Sequence, residues 1–269
     1  MIAVRTARKK LPYKPLASTS CRETAYYIEP QMLKELGCPS EAYSDDMREG
    51  KSVSGDDWMP KILENGRLSM FIAGNPGAGK SYLAKEMIKL LPKDFDVLLF
   101  TALEEDDGNF AELGKRVYKV RMTPENLKRI SLSEIRKRGK HPILLFDDVD
   151  KIRNKEVEKL TFAILEDALA NGRGHKKHDG EGDIHVICTS HALNDYRKTK
   201  YTLENSDYVG VFPPSTTYSQ MERLFEKIGL GKELCNAVME KGKRGDVRGI
   251  IIRKVAPMYM ICGDTISLL

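Results

Sequence analysis

The stretch Leu68–Leu91, LSMFIAGNPGAGKSYLAKEMIKLL, decides the fold of this 269-residue chain. Residues 74–81 at its centre match the pattern G-x-x-x-x-G-K-[ST]. The apolar run before them has the length of a buried strand, and the apolar spacing after them is helical. In that context the pattern predicts a loop that binds phosphate through its backbone N–H groups and the positive end of the following helix. A Gly/Pro turn that spells the motif by chance is the alternative.

Each residue type in the loop suits a triphosphate and its magnesium ion. Gly77 and Gly79 let the backbone turn its N–H groups toward the β-phosphate without a Cβ in the way. Lys80 supplies positive charge to the β and γ oxygens, and the Ser81 hydroxyl is placed to bind Mg²⁺. We therefore predict ATP and Mg²⁺ as cofactors, with the nucleotide held by Gly74, Asn75, Pro76, Gly77, Ala78, Gly79, Lys80, Ser81 and Tyr82.

The composition predicts an intracellular globular protein, with 41% hydrophobic and 31% charged residues. No apolar run approaches the ~20 residues that cross a bilayer, and no signal peptide is visible, so we expect neither a transmembrane segment nor secretion. The five cysteines are scattered and lack C-x-x-C spacing, which argues against a disulfide scaffold and a zinc site.

Positive charge is concentrated in three segments, although the net charge is only +5. Residues 1–14 hold five Lys or Arg and no acid, residues 114–140 hold ten against two Glu, and residues 241–254 hold six. Such clusters are the electrostatic footprint of a polyanionic partner. Solvated faces and a flexible tail are the alternative.

The chain divides into residues 1–66, a basic N-terminal arm and extension, and residues 67–269, the nucleotide-binding domain. Residues 1–16 have two prolines and little periodicity, which predicts a mobile arm. We expect residues 17–66 to pack against the nucleotide domain, with one short helix over residues 29–36.

Strand candidates alternate with helical segments from Leu68 onward. This alternation predicts an α/β fold with a mainly parallel central sheet flanked by helices. The strand candidates are residues 68–73, 96–101, 117–122, 142–148, 184–189 and 207–212, followed by two C-terminal strands, 249–256 and 258–262, that extend the sheet. Helices are predicted over residues 82–91, 156–169, 220–228 and 232–241, and a basic helix begins after Thr123 as its cap. Ligands of such sheets bind beyond the carboxyl ends of the strands, so residues 74–81, 147–148 and 189–191 should meet at one edge.

Two carboxylates end the apolar strand candidate at residues 142–148. Asp147 is placed to hold Mg²⁺ directly or through water. Asp148, beside it, can orient an attacking water or accept its proton, which hydrolysis needs and phosphoryl transfer to another substrate does not. We expect Asp150 to be solvated. The alternative is that the acids only cap the next helix.

Two further positions are candidates for hydrolysis. Ser190 or His191, at the end of the next strand, could sense the γ-phosphate, and the sequence does not choose between them. No second histidine has ligand spacing with His191, so we do not predict zinc there. Arg173, after the helix that follows the acids, could donate a guanidinium to a neighbouring subunit's γ-phosphate. A plain loop arginine is the alternative, and Arg197 and Arg248 are rivals for the role.

These residues resemble the genome-packaging ATPases of nucleocytoplasmic large DNA viruses, within the FtsK–HerA superfamily. The resemblance covers about residues 68–265 and rests on the phosphate loop, LLFT at 98–101, ILLFDD at 143–148, the Gly-Arg pair at 172–173, and IHVICTSHALNDYRKTKYTLENSDYVGVFP at 184–213. It implies a RecA-like (ASCE) fold and an ATP-driven ring, a pentamer or hexamer, that threads double-stranded DNA into a capsid. It further implies a capsid or membrane-vertex partner and a location in the virion or the virus factory of the host cytoplasm.

The resemblance also bears on individual positions. Gly172-Arg173 matches the place of an arginine thought to act between subunits in this superfamily. The chain departs from the pattern at Asp147-Asp148, where most members have Asp-Glu, and at Ser190-His191, where many have Gln. The polar insertion at residues 174–182 lengthens the link between Arg173 and the next strand.

Two other classes stay open at this point. GNPGAGKSYLA also resembles the loop of AAA+ helicase loaders and transposition helpers, which usually place Asn at the end of the fourth strand and add a helical lid. This chain ends in apparent strands instead. The second class is a nucleotide-dependent protein switch without DNA, whose weak turnover would not respond to DNA.

Overall fold

The computed structural model describes residues 2–6, 14–18, 23–27, 47–50, 52–54, 59–61, 66–102, 108–139, 141–174, 182–191, 193 and 199–269. Its strands are β1 (Ile2–Thr6), β2 (Lys14–Ser18), β3 (Glu23–Tyr27), β4 (Met47–Gly50), β5 (Ser52–Ser54), β6 (Met59–Pro60), β7 (Ser69–Ala73), β8 (Val97–Thr101), β9 (Val117–Lys119), β10 (Ile143–Asp147), β11 (His185–Ser190), β12 (Tyr208–Val211), β13 (Ile250–Arg253), β14 (Tyr259–Cys262) and β15 (Thr265–Leu268). Its α-helices are α1 (Lys80–Lys89), α2 (Pro124–Leu127), α3 (Leu132–Arg138), α4 (Lys155–Asn171), α5 (Lys200–Asn205), α6 (Tyr218–Lys227) and α7 (Lys232–Arg244).

The main sheet is parallel at its centre and antiparallel at its C-terminal side. Within the described ranges it has ten strands in the order β5-β15-β14-β13-β12-β7-β11-β10-β8-β9. The six strands from β12 to β9 in that order pair in parallel, whereas β13, β14, β15 and β5 pair antiparallel. The predicted α/β fold, with C-terminal strands that extend the sheet, is therefore confirmed. β15 was not predicted.

Helices cover both faces of this sheet. Side chains alternate along β7, so Met70 and Ile72 lie on one face and Phe71 and Ala73 on the other. The first pair packs in one cluster with buried residues of α1, and the second pair packs with buried residues of α4. Burial on both sides explains why the central strands read as continuous apolar runs.

The chain between β9 and β10 differs from the single basic helix expected there. Thr123 caps α2 as predicted, since its side chain accepts a hydrogen bond from the Asn126 N–H. That helix ends after one turn, and Ser131 caps the separate helix α3 through the Glu134 N–H. A second capping residue inside the segment is the local reason for the break.

The expectation of a mobile N-terminal arm is wrong for β1 and β2. These strands belong to an antiparallel sheet with the order β4-β1-β3-β2-β6 in the described part of the chain. Leu16 is fully buried, and its carbonyl accepts a hydrogen bond from the Tyr259 hydroxyl at 3.1 Å. Ser52–Ser54 pairs with β15 of the main sheet. Within residues 17–66, the described strand β5 thus pairs with the nucleotide domain, whereas the packing of the whole segment and the domain boundary at residue 66 stay predictions.

Several predictions fall on residues outside the described ranges. They are the helix over residues 29–36, the rival arginine Arg197, and most of the insertion at residues 174–182. Among the helices that the structure does describe, none is long and apolar enough to cross a membrane.

Candidate nucleotide-binding and hydrolytic site

The loop at residues 74–79 connects β7 to α1 in a conformation that needs glycine. Gly77 and Gly79 have φ angles of 75° and 111°, in the region that other residues rarely adopt. A Cβ on Gly74 would lie 2.8 Å from Cδ2 of Phe212, closer than side chains approach. The N–H of Gly74 donates to the Ser190 carbonyl at 3.1 Å, which ties the loop to the end of β11. No side chain caps the N-terminus of α1, so the first N–H groups of this helix can bind an anion.

Lys80 is buried behind this loop, with 5% of its surface exposed. Its Nζ lies 3.1 Å from Nδ1 of His191, 3.5 Å from the Asn75 carbonyl and 3.7 Å from Oδ1 of Asp148. Burial lowers the pKa of Lys80, while the carboxylates of Asp148 and Asp147 oppose that shift. An ammonium in this position can transfer its hydrogen bonds to phosphate oxygens without leaving the site.

Asp147 and Ser81 provide oxygen ligands that fit a magnesium ion. Asp147 is 3% exposed, and its Oδ1 accepts from the Ser81 hydroxyl at 3.5 Å. Adjacent ligands of an octahedral Mg²⁺ lie about 2.9 Å apart, so a small closure of this pair would accommodate the ion. One carboxylate and one hydroxyl leave other positions for phosphate oxygens and water, which is how Mg²⁺ is usually held in ATPases.

Thr189 holds the two acids together. The register Phe146↔Cys188 places Asp147 opposite Thr189 on the neighbouring strand. The Thr189 hydroxyl donates to Oδ1 of Asp147 at 2.8 Å and accepts from the backbone N–H of Asp148 at 2.9 Å. No role for Thr189 was predicted. The contact forms because β11 lies beside β10, and only the strand order of the folded sheet shows that these two strands are neighbours.

Asp148 has a backbone conformation that is unusual for a residue other than glycine. Its φ is 49°, in the left-handed region, and such conformations persist only where neighbouring contacts hold them. Its Oδ2 lies 2.7 Å from Nε2 of His191. A neutral His191 with its proton on Nε2 can donate to Asp148 and accept from Lys80 at Nδ1, so one tautomer satisfies both contacts. The result is a continuous chain of polar contacts from Lys80 through His191 to Asp148.

The structure separates the two candidate sensors at the end of β11. His191 contacts Lys80 and Asp148, as described above. Ser190 is 3% exposed, and its backbone carbonyl holds Gly74.

The expectation that Asp150 is solvated is wrong. Asp150 is half-buried, and its Oδ2 accepts from the His191 backbone N–H at 3.2 Å, so it helps to position the histidine.

The arginine candidates lie at opposite edges of the sheet. Arg173 is exposed and follows α4; the Gly172 carbonyl beside it accepts from the N–H of Ile184 at 2.8 Å, next to the start of β11. It is therefore at the amino ends of the strands, away from the phosphate loop of its own chain. Arg248, also exposed, lies against that loop, since a Cβ on Gly79 would be 3.7 Å from its Nε and Nη2. The predicted nucleotide contact Tyr82, on the first turn of α1, is 64% exposed.

Residues 70–203 match the family model described as "ATPase family associated with various cellular activities (AAA)". That span holds the phosphate loop, the paired acids and His191, on a parallel sheet with the strand order given above. The fold is that of a P-loop ATPase, and the predicted nucleotide-binding fold and ATPase activity are confirmed.

A viral protein is a relative of this chain. The chain is 30% identical over 197 residues to uncharacterized protein V3 of Sputnik virophage, which covers 71% of this chain and 73% of that protein. The chain belongs to the same family as V3. The prediction that this chain is a P-loop ATPase of a viral type is thereby confirmed.

Three solved structures resemble the chain at low identity. The genome packaging NTPase B204 from Sulfolobus turreted icosahedral virus 2, in complex with sulfate, is 17% identical with a TM-score of 0.46, over 74% of this chain and 96% of that one. The cytoplasmic domain of the Thermomonospora curvata Type VII secretion ATPase EccC is 14% identical with a TM-score of 0.45, over 80% and 29%. The pCW3 conjugation coupling protein TcpA is 13% identical with a TM-score of 0.45, over 95% and 75%. At these scores, the fold assignment rests on the family match and the strand order.

Proposed function

We propose that this ATPase is a motor that moves double-stranded DNA into a viral capsid, acting as a ring of identical subunits. The chain of contacts from Lys80 through His191 to Asp148, beside Asp147 and Ser81, carries the hydrolytic part of the proposal. It provides a positioned carboxylate next to the metal ligand, as activation of water requires. The basic segments and the resemblance to packaging ATPases support the DNA part.

Binding of ATP would rearrange the Lys80 contacts. The loop N–H groups and the start of α1 hold the phosphates, and Lys80 turns from His191 to the β and γ oxygens. Mg²⁺, held by Ser81 and Asp147, would neutralise charge on the phosphates. The loss of its lysine donor is the signal by which His191 detects the γ-phosphate.

Asp148 is the group that we assign to water activation. Its carboxylate orients a water in line with the bond to ADP and accepts the water's proton as the oxygen attacks phosphorus. His191 stabilises the orientation of this carboxylate through the 2.7 Å contact at Oδ2. Thr189 fixes the backbone of the same residue, so the base is held from two sides.

Two arginines would complete the charge balance from different subunits. Arg248 is beside the loop of its own chain and can approach the phosphates directly. Arg173 is at the opposite edge and can reach only the site of a neighbour in a ring. Guanidinium groups at the γ-phosphate stabilise the charge of the transition state.

The test is steady-state ATP hydrolysis with and without linear double-stranded DNA, at low and moderate salt. We expect DNA to stimulate turnover, to do so regardless of sequence, and to lose this effect as salt rises, because phosphate contacts release counterions. Lys80→Ala is the inactive control. Robust turnover that ignores DNA would refute the motor and favour an ATPase that remodels proteins.

An AAA+-type loader is the second candidate, because the matching family model is an AAA model. The described C-terminal region speaks against it. Where such loaders usually add a helical lid, β13, β14 and β15 continue the main sheet. Stimulation by a protein partner in place of DNA would favour this candidate.

A further inference from the structure

A basic pocket lies at one edge of the main sheet, apart from the nucleotide site. It has a volume of about 380 Å³ and opens between β9 and the segment containing α2 and α3. Leu98, Val120 and Ile130 contribute apolar surface to its lining, and Arg121, Arg129 and Arg138 contribute positive charge. β9 is four strands from β7, a separation of about 19 Å at ~4.8 Å per strand, so this pocket is distinct from the phosphate loop.

The lining of the pocket carries more positive than negative charge, since Lys119 and three arginines face a single acid there. Arg121, Arg129 and Arg138 are exposed, and none of them pairs with a carboxylate there. The one acid in the lining, Glu134, pairs instead with Lys137. Three guanidinium groups around one concavity repel each other unless an anion lies between them.

The chemistry of the lining favours phosphate as that anion. A guanidinium presents a planar fork of donors that matches phosphate oxygens in pairs, whereas a lysine acts as a point charge. Tyr118, which is 47% exposed in the same lining, offers a ring against which a sugar of the DNA backbone can pack. We propose that this pocket binds phosphate groups of the DNA backbone, a proposal that rests on the proposed function.

Anisotropy of a labelled short DNA duplex, over a series of salt concentrations, tests the assignment. The pocket variant is the triple Arg121→Ala, Arg129→Ala and Arg138→Ala. The control triple, Lys93→Ala, Lys159→Ala and Arg223→Ala, removes the same charge from exposed positions on other elements. We expect the pocket variant to bind about tenfold more weakly or worse, and its slope of log affinity against log salt to fall by about 2.7, for three lost contacts. The control should keep the wild-type slope.

The remaining outcomes distinguish a failure of the pocket assignment from a failure of the proposed function. Equal losses in both triples, or no loss in either, would overturn the pocket assignment while the DNA motor stands. A wild-type protein that does not bind DNA would refute the proposed function itself. If the pocket binds pyrophosphate but not DNA, its ligand is a free phosphate. If polyglutamate competes as strongly as DNA does, the ligand is an acidic protein. Either result overturns the assignment. If urea unfolding shows that the pocket triple is not folded, Arg121→Glu and Arg138→Glu as single variants give the same test.

Discussion

Thr189→Val removes one hydroxyl from the centre of the candidate site and leaves the shape of the side chain nearly unchanged. Thr189 is fully buried. Its hydroxyl accepts from the Asp148 N–H at 2.9 Å and donates to Oδ1 of Asp147 at 2.8 Å. Valine can do neither, so both acids lose the contact that joins them.

The expected magnitude follows from those two bonds. A buried N–H left without a partner costs about 1–3 kcal/mol, and a hydrogen bond to a charged group contributes about 1.5–3 kcal/mol. Asp148 is partly exposed, so water can replace part of the lost hydrogen bonding. We therefore expect the free energy of unfolding to fall by about 3 kcal/mol. The hydrogen bond from the Asp148 N–H to Thr189 also holds Asp148 at its φ of 49°. For each 1.4 kcal/mol of transition-state stabilisation that is lost when Asp148 is no longer held in place, kcat should fall about tenfold.

Urea unfolding and steady-state ATP hydrolysis measure the two effects. Thr161→Val is the matched control, because Thr161 is also fully buried and its hydroxyl donates at 2.8 Å to the Val157 carbonyl of its own helix. That carbonyl keeps its helical hydrogen bond when the hydroxyl is removed, so we expect a change below about 1 kcal/mol and normal turnover. If Thr189→Val proves as stable and as active as Thr161→Val, the hydroxyl does not hold the acids and the reasoning is refuted.

Three further predictions concern the nucleotide site and a buried histidine. Lys80→Ala should lose binding of a fluorescent ATP analogue, whereas Asp148→Asn should bind it and fail to release phosphate; normal turnover of Asp148→Asn would remove that residue from its role. If Arg173 acts between subunits, inactive Lys80→Ala and Arg173→Ala proteins should partly restore hydrolysis when mixed, and a mixture as inactive as its parts would contradict this. Burial lowers the pKa of His185 from 6.5 to about 4. The unfolded chain then binds a proton that the folded chain rejects, so stability is complete above pH 6.5 and falls by about 3 kcal/mol as the pH drops to 4. His185→Asn, which can still accept the Leu68 N–H, should flatten this pH dependence in urea unfolding; an unchanged curve would exclude His185 as its source.

The N-terminal region shows where prediction from local pattern stops. Five basic residues and two prolines within residues 1–16 indicate a chain that cannot bury much apolar surface by itself. Yet Ile2 pairs with Tyr27 and Gly50, and Ser54 pairs with Thr265 at the other end of the chain. Backbone pairing depends little on side-chain pattern, so strands that form by joining a distant edge leave a weak signal in their own sequence.

The sequence by itself determined the parts of the site whose chemistry and geometry are local. The phosphate loop, the apolar strand that ends in Asp147-Asp148 and the cap at Thr123 each depend on a few adjacent residues. Only the tertiary structure decided that β11 lies between β7 and β10, and hence that Thr189 joins the acids and that His191 lies between Lys80 and Asp148. It also placed Arg248 beside the loop and Arg173 at the far edge. These contacts join side chains far apart in the chain, and strand order fixes them, because parallel strands bring their carboxyl ends together whatever residues lie between them.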